Sequence, residues 1–304
     1  MPKLPQTEEP NPRSHGLDRE GTLELLRLLN AEDRRVPAAV GRAIPAIARA
    51  VDAFVAGFER GGRLIYVGAG TSGRLGALDA SECPPTFGIS RSRVQAVIAG
   101  GRRALDRAVE GAEDSAAQGA RDMARVGIGP NDVVVGLAAG GSTPYVAGAL
   151  RKARRLGATT ALVTTNPRPA LGKLADIRII ADVGPEVLAG STRMKSGTAQ
   201  KLVLNMLTTA AMARLGRVYD NRMIYVSLSN RKLWRRALRV LAEMAGVSED
   251  EARRAMRRAG GKLPVALVML KTGAERKEAE RRLAEAKGHV RRAIEAGAKR
   301  RVGG

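Results

Sequence analysis

A glycine-rich turn between residues 68 and 73 is the part of the sequence whose residue types point most directly to chemistry. The letters GAGTSG fit the spacing G-x-G-x-x-G, with an apolar run before them and a helix-compatible stretch after them. Glycine lets the backbone turn tightly there, and the N–H groups at the start of the following helix favour an anion. The turn therefore predicts a phosphate site.

The identity of that phosphate is narrowed by the neighbouring residues. A dinucleotide site also needs an acidic residue about 20 positions further on, at the end of the next strand, to bind the ribose. That strand instead ends in the letters GGRR, at residues 100–103, so NAD is disfavoured and only an NADP site using Arg102 and Arg103 stays open. A Walker-type loop is excluded because Arg74-Leu75 occupies the place of its Lys-Ser/Thr pair.

Three pairs of hydroxyl residues follow alternate apolar runs of the chain. They are Thr71-Ser72 after the first run, Ser142-Thr143 after the third and Ser191-Thr192 after the fifth. Since the carboxyl ends of parallel strands meet at one crevice, these hydroxyls are expected to hold a small phosphate monoester. The alternative is that each pair caps a helix, which is the commonest use of Ser and Thr at such positions.

The elements that must position these residues have the rhythm of an α/β protein. Five short apolar runs alternate with helix-compatible stretches, and the runs are nearly continuous in hydrophobicity, as strands covered on both faces should be. We predict a doubly wound, mostly parallel five-stranded sheet. The runs read RLIYVGAG, VQAVIAGG, DVVVGLAAGG, ATTALVTTN and IRIIADVG, and the helical stretches between them are 72–80, 103–126, 144–156 and 169–174.

The flanking segments read as helical. Residues 1–18 look like a loose lead, and residues 21–58 have helical periodicity that Pro37 and Pro45 should break. A long, largely apolar helix is expected over 196–215, and a capping pattern near Ser248 opens one helix of a basic tail. The predicted domains are an N-terminal segment 1–58, a phosphate-binding domain 59–229 and a C-terminal helical domain 230–304.

Composition excludes several kinds of site. Cys83 is the only cysteine, which rules out an internal disulfide and a cysteine-based zinc site, and the two histidines, His15 and His289, lie near opposite ends of the chain. Acid–base chemistry must therefore come from Asp, Glu, Lys or Tyr. No apolar run is long enough for a signal peptide or a membrane helix, so we expect a cytoplasmic protein without a membrane partner.

The formal charge of +22 raises nucleic acid as a partner. In the tail, however, the arginines recur as pairs between apolar positions, as on the solvated face of amphipathic helices, and aromatic residues that could stack on bases are lacking. An arginine-rich surface is therefore favoured over a nucleic-acid site.

Four strings of the chain closely resemble the N-acetylmuramic acid 6-phosphate etherase family, part of the sugar-isomerase (SIS) superfamily. They are GAGTSGRLGALDASECPPTFG, EGAED, GPEVLAGSTRMKSGTAQKLVLNML and GRVYDNRM, and the likeness extends over nearly the whole chain. The resemblance implies an SIS fold, a small C-terminal UBA-like bundle and a homodimer. It also implies a carbon–oxygen lyase without a cofactor, which removes D-lactate from N-acetylmuramic acid 6-phosphate by elimination followed by hydration.

The resemblance places the two catalytic carboxylates on Glu82 and Glu113. Glu82 would take the C2 proton and protonate lactate, and we expect it in a partly desolvated pocket on a loop stiffened by Pro84-Pro85. Glu113, on a helical stretch, would assist ring opening or position water. The residues expected to bind substrate are Gly70, Thr71, Ser72, Gly73, Ser142, Thr143, Ser191, Thr192 and Lys195.

One loop departs from the family pattern. Where the family commonly reads Ala-Ser-Gly-Arg-Thr-Pro-Tyr, this chain has AGGSTPY from Ala139 to Tyr145, so serine 142 stands in the place of the arginine. Arg102-Arg103 is a candidate to supply the missing charge. Two other functions stay open at this point: a non-catalytic phosphosugar-sensing SIS protein and an NADP-dependent oxidoreductase.

Overall fold

The structure, a computed structural model, describes residues 5–226, 228 and 231–302, with side chains described up to residue 296. The chain forms two compact units. One comprises Met1–Ser81 and Ser90–Thr209, and the other comprises Glu82–Ile89 and Ala210–Gly304. The expected boundary between residues 229 and 230 lies outside the described residues, and the three-domain division stays a prediction.

The first unit is built on a five-stranded parallel sheet with the order β2-β1-β3-β4-β5. Its strands lie within the five apolar runs, which confirms the predicted fold. The central strands β1 and β3 are buried at every position, as their continuous hydrophobicity requires. The strands are β1 (Leu64–Gly68), β2 (Val94–Ile98), β3 (Val133–Leu137), β4 (Thr159–Thr164) and β5 (Ile177–Ile180).

Two helices precede the sheet, α1 (Thr22–Asp33) and α2 (Val36–Glu59). Pro37 opens α2, where its missing N–H is not needed, but the expected break at Pro45 is wrong because α2 continues through it. One lost hydrogen bond is tolerated since α2 is buried along its length, from Val36 through Ile47 to Phe54.

The helices between the strands are α3 (Gly70–Phe87), α4 (Ala116–Val126) and α5 (Pro144–Arg155), and α6 (Lys195–Arg214) follows the sheet. The expected helix 103–126 is wrong in its first half. That half instead holds two short 3₁₀ turns, because Gly111 has a φ of +68° that an α-helix cannot contain. The expected helix 169–174 is likewise a 3₁₀ turn, Ala170–Leu174.

The N-terminal lead is not loose from residue 5 onward, contrary to the sequence-based expectation. It forms three 3₁₀ turns, at 6–8, 12–14 and 17–19. The Ser14 hydroxyl donates to the Val187 carbonyl at 2.7 Å, and the Gly190 N–H donates to the Thr7 carbonyl at 2.9 Å. These bonds hold the lead against the segment that carries Ser191 and Thr192.

The second unit is a helical bundle with a short antiparallel hairpin that the sequence did not predict. Helix α9 is its centre, and the expected capping box is present, with Ser248 and Glu251 bonding each other's backbone N–H. Its elements are β6 (Val218–Tyr219), β7 (Arg222–Met223), α7 (Arg231–Ala245), α8 (Glu249–Arg258), α9 (Leu263–Thr272), α10 (Arg276–Glu285) and α11 (Val290–Val302).

Candidate active site

The turn after β1 is as tight as its glycines predict. A Cβ atom on Gly68 would lie 2.9 Å from the Gly73 nitrogen, and one on Gly73 would lie 2.6 Å from Cγ1 of Ile98 on β2. Helix α3 begins at Gly70, directly after the strand, so its first N–H groups lie at the carboxyl edge of the sheet. Such a helix start suits an anion.

The turn after β3 also requires glycine. Gly141 has a φ of +69°, and a Cβ atom there would lie 2.4 Å from Cβ of Pro169. Ser142 and Thr143 come next, and α5 begins at Pro144. Thr143 occupies the N-cap position, but its side chain makes no capping hydrogen bond. The hydroxyl groups of this turn are therefore not used to cap the helix.

The start of α6 is already occupied by a protein carboxylate. Glu186, which has no exposed surface, accepts hydrogen bonds from the N–H groups of Lys195 at 3.0 Å and Ser196 at 2.8 Å. A carboxylate at this position satisfies the first N–H groups and complements the helix dipole. Of the three helix starts that sequence placed at this edge, α3 and α5 are therefore the two open to an anionic ligand.

Contacts join the three hydroxyl-bearing segments at one edge of the sheet. A Cβ atom on Gly197 would lie 3.6 Å from both Cγ2 of Thr71 and the Thr192 carbonyl. The hydroxyls of Ser196 and Thr165 lie 2.9 Å apart, and Thr165 donates in turn to a carbonyl of the segment after β3. The start of α6 therefore lies between the turns that follow β1 and β4, as the parallel topology requires.

The six hydroxyls of these segments share one property: within the described part of the chain, none of them makes a side-chain hydrogen bond. The hydroxyls beneath them, on Thr164, Thr165 and Ser196, all have protein partners. The helix-capping alternative is therefore not realised, and the outer hydroxyls are available to a ligand. They belong to Thr71, Ser72, Ser142, Thr143, Ser191 and Thr192.

Comparison with known proteins identifies the family. The chain is 51% identical to the N-acetylmuramic acid 6-phosphate etherase of Serratia proteamaculans, over 95% of this chain and 97% of that protein. It is 51% identical to the etherase of Cutibacterium acnes, over 97% of each chain, and 50% identical to that of Geobacillus thermodenitrificans, over 95% and 98%. The chain belongs to the N-acetylmuramic acid 6-phosphate etherase family.

Family models match three parts of this etherase-family chain. Residues 46–154 match the N-terminal SIS domain of glucokinase regulatory protein, residues 111–210 match the SIS domain, and residues 220–261 match the C-terminal lid domain of glucokinase regulatory protein. Among solved structures, a phosphoheptose isomerase from Francisella tularensis is 16% identical, with a TM-score of 0.48 over 64% of this chain and all of that chain.

Lys195 does not face a ligand site in this etherase-family chain. Its side chain is 1% exposed, and its Nζ lies 2.5 Å from Oε2 of Glu32 on α1. Burial alone would raise the pKa of Glu32, but hydrogen bonds from Lys195 and Asn11, with the charges of Lys195 and Arg13, hold that pKa below its usual value. The ammonium is thus neutralised inside the protein, which corrects its expected role as a substrate contact.

Glu82 lies on a helix rather than on a loop. Helix α3 continues past Ala80 to Phe87 with Pro84 and Pro85 inside it. The Glu82 side chain is exposed and not in a desolvated pocket, because Asp79 and Cys83 are on the packed side of the helix whereas Leu78 and Glu82 are on the other. Helix α3, and not the double proline, fixes the position of this carboxylate.

Glu113 lies in the 3₁₀ turn Ala112–Asp114, not on the expected longer helix, and it is exposed. The turn starts after Gly111 and ends at Ser115, whose side chain accepts a hydrogen bond from the Gln118 N–H and caps α4. Short irregular backbone of this kind carries Glu113 between β2 and α4.

Arg102 and Arg103 follow a strand that is not adjacent to β3, whose turn lacks the arginine. They follow β2, and β1 separates β2 from β3 in the sheet. Arg102 lines a cavity of about 500 Å³ with Gln118 and Asp122, whereas Ser142 lines a different cavity. Since the two cavities have no lining residue in common, nothing in the described part of the chain supports compensation by these arginines, and that role stays a prediction.

The buried polar residues beneath the candidate site, Glu32 and Glu186, carry little signal in the sequence. Glu32 gave no signal, because one glutamate in a helix rich in charge looks like a surface residue. The only sequence signal for Glu186 is its position within the family string GPEVLAG. Within the described residues, no group of three or more His, Cys, Asp or Glu side chains is placed to hold a metal, and no helix is long and apolar enough to cross a membrane.

Proposed function

We propose that this chain cleaves the D-lactyl ether of N-acetylmuramic acid 6-phosphate, giving N-acetylglucosamine 6-phosphate and D-lactate in the recycling of cell-wall amino sugars. The observation that carries the proposal is the identity of about one residue in two, over nearly the full length, with proteins named for this etherase activity. The six hydroxyls at the carboxyl edge of the sheet that have no side-chain partner among the described residues support it, because a phosphosugar needs such donors and acceptors.

The chemistry follows from the substrate. Opening of the sugar ring exposes an aldehyde at C1, which acidifies the hydrogen on C2. A base removes that proton, the bond between C3 and the lactyl oxygen breaks as D-lactate leaves with a proton, and water adds to the double bond at C3. The aldehyde itself stabilises the negative charge, so no metal or organic cofactor is required.

Two carboxylates are proposed for the proton transfers. Glu82 removes the C2 proton and returns a proton to the lactyl oxygen, and Glu113 assists ring opening or orients the water. Two carboxyl groups in different surroundings let one site perform acid and base steps. With both histidines near the ends of the chain, carboxylates are the natural groups for this role.

The 6-phosphate is proposed to bind at the edge of the sheet, where helices α3 and α5 start. Backbone N–H groups at a helix start and hydroxyl side chains are good donors to phosphate oxygens. The proposed contacts are Gly70, Thr71, Ser72, Gly73, Ser142, Thr143, Ser191 and Thr192.

We propose a homodimer formed through the outer faces of α3 and α6. These helices are neighbours in the first unit, where Thr208 donates to Asp79 at 3.3 Å. On these neighbouring helices Leu78 is 45% exposed and Met206 is 38% exposed, and exposed apolar side chains favour an interface. Glu82 follows Leu78 by one helical turn, so a second copy docked there would also shield this carboxylate.

The proposed substrate also supports a cytoplasmic location. A phosphate monoester carries charge that an apolar bilayer core excludes, so an enzyme for such a sugar acts where the sugar is phosphorylated. A nucleic-acid partner is not proposed, since the arginines of α7 to α11 alternate with buried apolar positions.

The test is release of D-lactate from N-acetylmuramic acid 6-phosphate by the purified protein. In heavy water the product should carry deuterium at C2, and an unlabelled product would exclude proton abstraction. Glu82→Gln should lower kcat by about 100- to 10,000-fold, as expected for loss of a general acid or base. A protein that binds the sugar phosphate but releases no lactate would instead be a sensor.

Two control variants distinguish loss of a catalytic carboxylate from loss of a negative charge alone. Glu59→Gln removes an exposed carboxylate from the end of α2, and Glu110→Gln removes one three residues before Glu113. Both control variants should keep wild-type kcat. If Glu110→Gln and Glu113→Gln behave alike, the assignment of Glu113 is wrong.

A further inference from the structure

A second cavity adjoins the proposed phosphate site and has no assigned role. Its volume is about 570 Å³, and three segments form its wall: the N-terminal lead, the turn after β3 and the turn after β4. The polar residues that line it are Gln6, Glu9, Ser142, Asn166 and Arg168. Because Ser142 belongs to this wall, a ligand that contacts the Ser142 hydroxyl would border the cavity.

Arg168 is held on a rigid turn at the edge of this cavity. The buried Asn166 accepts a hydrogen bond from the Arg168 N–H at 3.0 Å and donates to the Gly140 carbonyl at 2.8 Å, so one side chain ties the turns after β3 and β4 together. Pro167 and Pro169 flank Arg168 and fix the backbone on both sides. The backbone at Arg168 is therefore held in one conformation.

The guanidinium group of Arg168 has no partner among the described residues. It makes no ion pair or hydrogen bond there, not even with Glu9, which lines the same cavity. Arg63 of the same unit is, by contrast, tied to Asp132 at 2.6 Å. A free guanidinium on a rigid turn suits a planar or tetrahedral oxyanion, which it binds through two parallel hydrogen bonds.

The turn after β3 lacks the arginine that the family pattern has at position 142. Ser142 and Arg168 line one cavity from two different turns, so Arg168 borders the same space as position 142. We propose that Arg168 binds an oxyanion of the substrate, a carboxylate or a phosphate, in place of the arginine missing at 142. This inference rests on the proposed function.

A further group in the cavity fits such a ligand. The Oε1 atom of Gln6 is buried and accepts no hydrogen bond from the described residues, although it lies on a residue of the cavity wall. A buried acceptor without a donor is costly, and a sugar hydroxyl or an acetamido N–H would supply the donor. The Glu9 carboxylate can accept from sugar hydroxyls in the same way.

The test compares Arg168→Gln with Arg151→Gln. The second variant removes an exposed arginine of α5, in the same unit, that has no ion pair or hydrogen bond among the described residues. Arg168→Gln should raise KM for N-acetylmuramic acid 6-phosphate by about 10- to 100-fold with little change in kcat, because a charge-assisted contact is lost from bound substrate and transition state alike. Arg151→Gln should leave both constants unchanged. A KM within twofold of wild type for Arg168→Gln overturns the proposal.

Two probes, each with one anionic group, identify the oxyanion. N-acetylmuramic acid keeps the lactyl carboxylate without phosphate, and N-acetylglucosamine 6-phosphate keeps the phosphate without lactyl. Weaker binding of the first alone to Arg168→Gln, measured by calorimetry, assigns the carboxylate, and weaker binding of the second alone assigns the phosphate. Unchanged binding of both overturns the proposal.

A rescue variant tests the exchange of positions. The double variant Ser142→Arg/Arg168→Gln should have a KM at least tenfold lower than that of Arg168→Gln alone. A double variant with the same KM as Arg168→Gln would refute the exchange. If the wild type releases no D-lactate, the proposed function fails, whereas the two-probe binding comparison still tests Arg168.

Discussion

Lys195 and Glu32 form a buried ion pair between the first residue of α6 and the end of α1, 163 positions apart in the sequence. Both side chains are at most 2% exposed. Asn11 donates to the same carboxylate at 2.8 Å, and Arg13 contacts it at 3.0 Å. The pair thus connects the N-terminal lead, the first helix and the segment that carries Ser191 and Thr192.

Removing the carboxylate of this pair should destabilise the protein strongly. Glu32→Gln leaves the Lys195 ammonium buried and uncompensated, which costs about 3–5 kcal/mol of unfolding free energy. Lys195→Met should cost less, because Glu32 keeps Asn11, Arg13 and Arg35 as partners. Urea unfolding measures both values.

The control for this pair is Glu24→Gln, on the exposed side of the same helix. Among the described residues its carboxylate pairs with Arg27 alone, and both side chains are exposed, so the change should be under about 0.5 kcal/mol. Equal losses for Glu24→Gln and Glu32→Gln would contradict the special role of the buried pair.

Glu32 should also make the protein sensitive to acid. Its folded-state pKa lies below its ordinary value of 4.5, so its stabilising contribution is complete above that pH and is lost as the pH falls through the lowered folded pKa. The unfolding free energy of wild type should therefore decline below about pH 4.5, and that of Glu32→Gln should decline less. Parallel pH curves for the two proteins would count against this origin.

Asp79 should have the opposite pH dependence. Burial raises the pKa of this carboxyl above its ordinary value of 3.8, and bonds from Tyr66 and Thr208 and the charge of Lys201 offset only part of that effect. The folded state then holds the proton more tightly than the unfolded chain, so stability falls as the pH rises from 3.8 through the folded pKa.

Asp79→Asn should remove this slope and raise the unfolding free energy at pH 7. The amide oxygen can still accept the bond that the Tyr66 hydroxyl donates at 2.8 Å, and no charge has to be buried. Chemical denaturation at pH 4 and pH 7 measures the effect. A variant less stable than wild type at pH 7 would show that Asp79 is stabilised as a carboxylate.

Gly73→Ala should disturb both the fold and the binding turn. Its Cβ would lie 2.6 Å from Ile98 Cγ1 and 2.9 Å from the Gly68 carbonyl oxygen, so α3 must shift, at about 1–3 kcal/mol. Because the shift displaces the first N–H groups of α3, Gly73→Ala should also bind N-acetylglucosamine 6-phosphate more weakly than the wild type. Gly41→Ala, at an exposed and open position of α2, should instead stabilise by about 0.5–1 kcal/mol, and thermal melts distinguish the two.

Glu186→Ala should loosen the start of α6. It removes two charge-assisted bonds to backbone N–H groups in a fully buried place, and each is worth about 1.5–3 kcal/mol. Hydrogen exchange at Lys195 and Ser196 should accelerate more than exchange in β1. Unchanged protection at those two amides would mean that Glu186 does not hold the helix start.

The sheet could be predicted from sequence because its signal is local. Each strand is a short apolar run, and the glycines of 68–73 mark a turn whose geometry admits little else. Helix ends were less accessible: Pro84 and Pro85 read as a stop, yet α3 continues through them because Cys83 and Phe87 are buried on its packed side.

Only the outer residues of the candidate site could be predicted from the sequence. Thr71 and Ser142 are recognisable because each follows an apolar run, whereas Glu32 and Lys195 meet through tertiary contacts that no spacing along the chain encodes. The free guanidinium of Arg168 is of the same kind. Arg168 and Ser142 line the same cavity only because the fold places the turns after β3 and β4 side by side.

The N-terminal lead has a practical consequence for handling the protein. Because Pro5 and Gln6 form part of the wall around Arg168, and Thr7 bonds Gly190, a chain shortened to begin at Gly21 would lose one wall of that cavity, together with the Asn11 and Arg13 contacts to Glu32. Ligand-binding experiments should therefore use a chain that keeps residues 5–20.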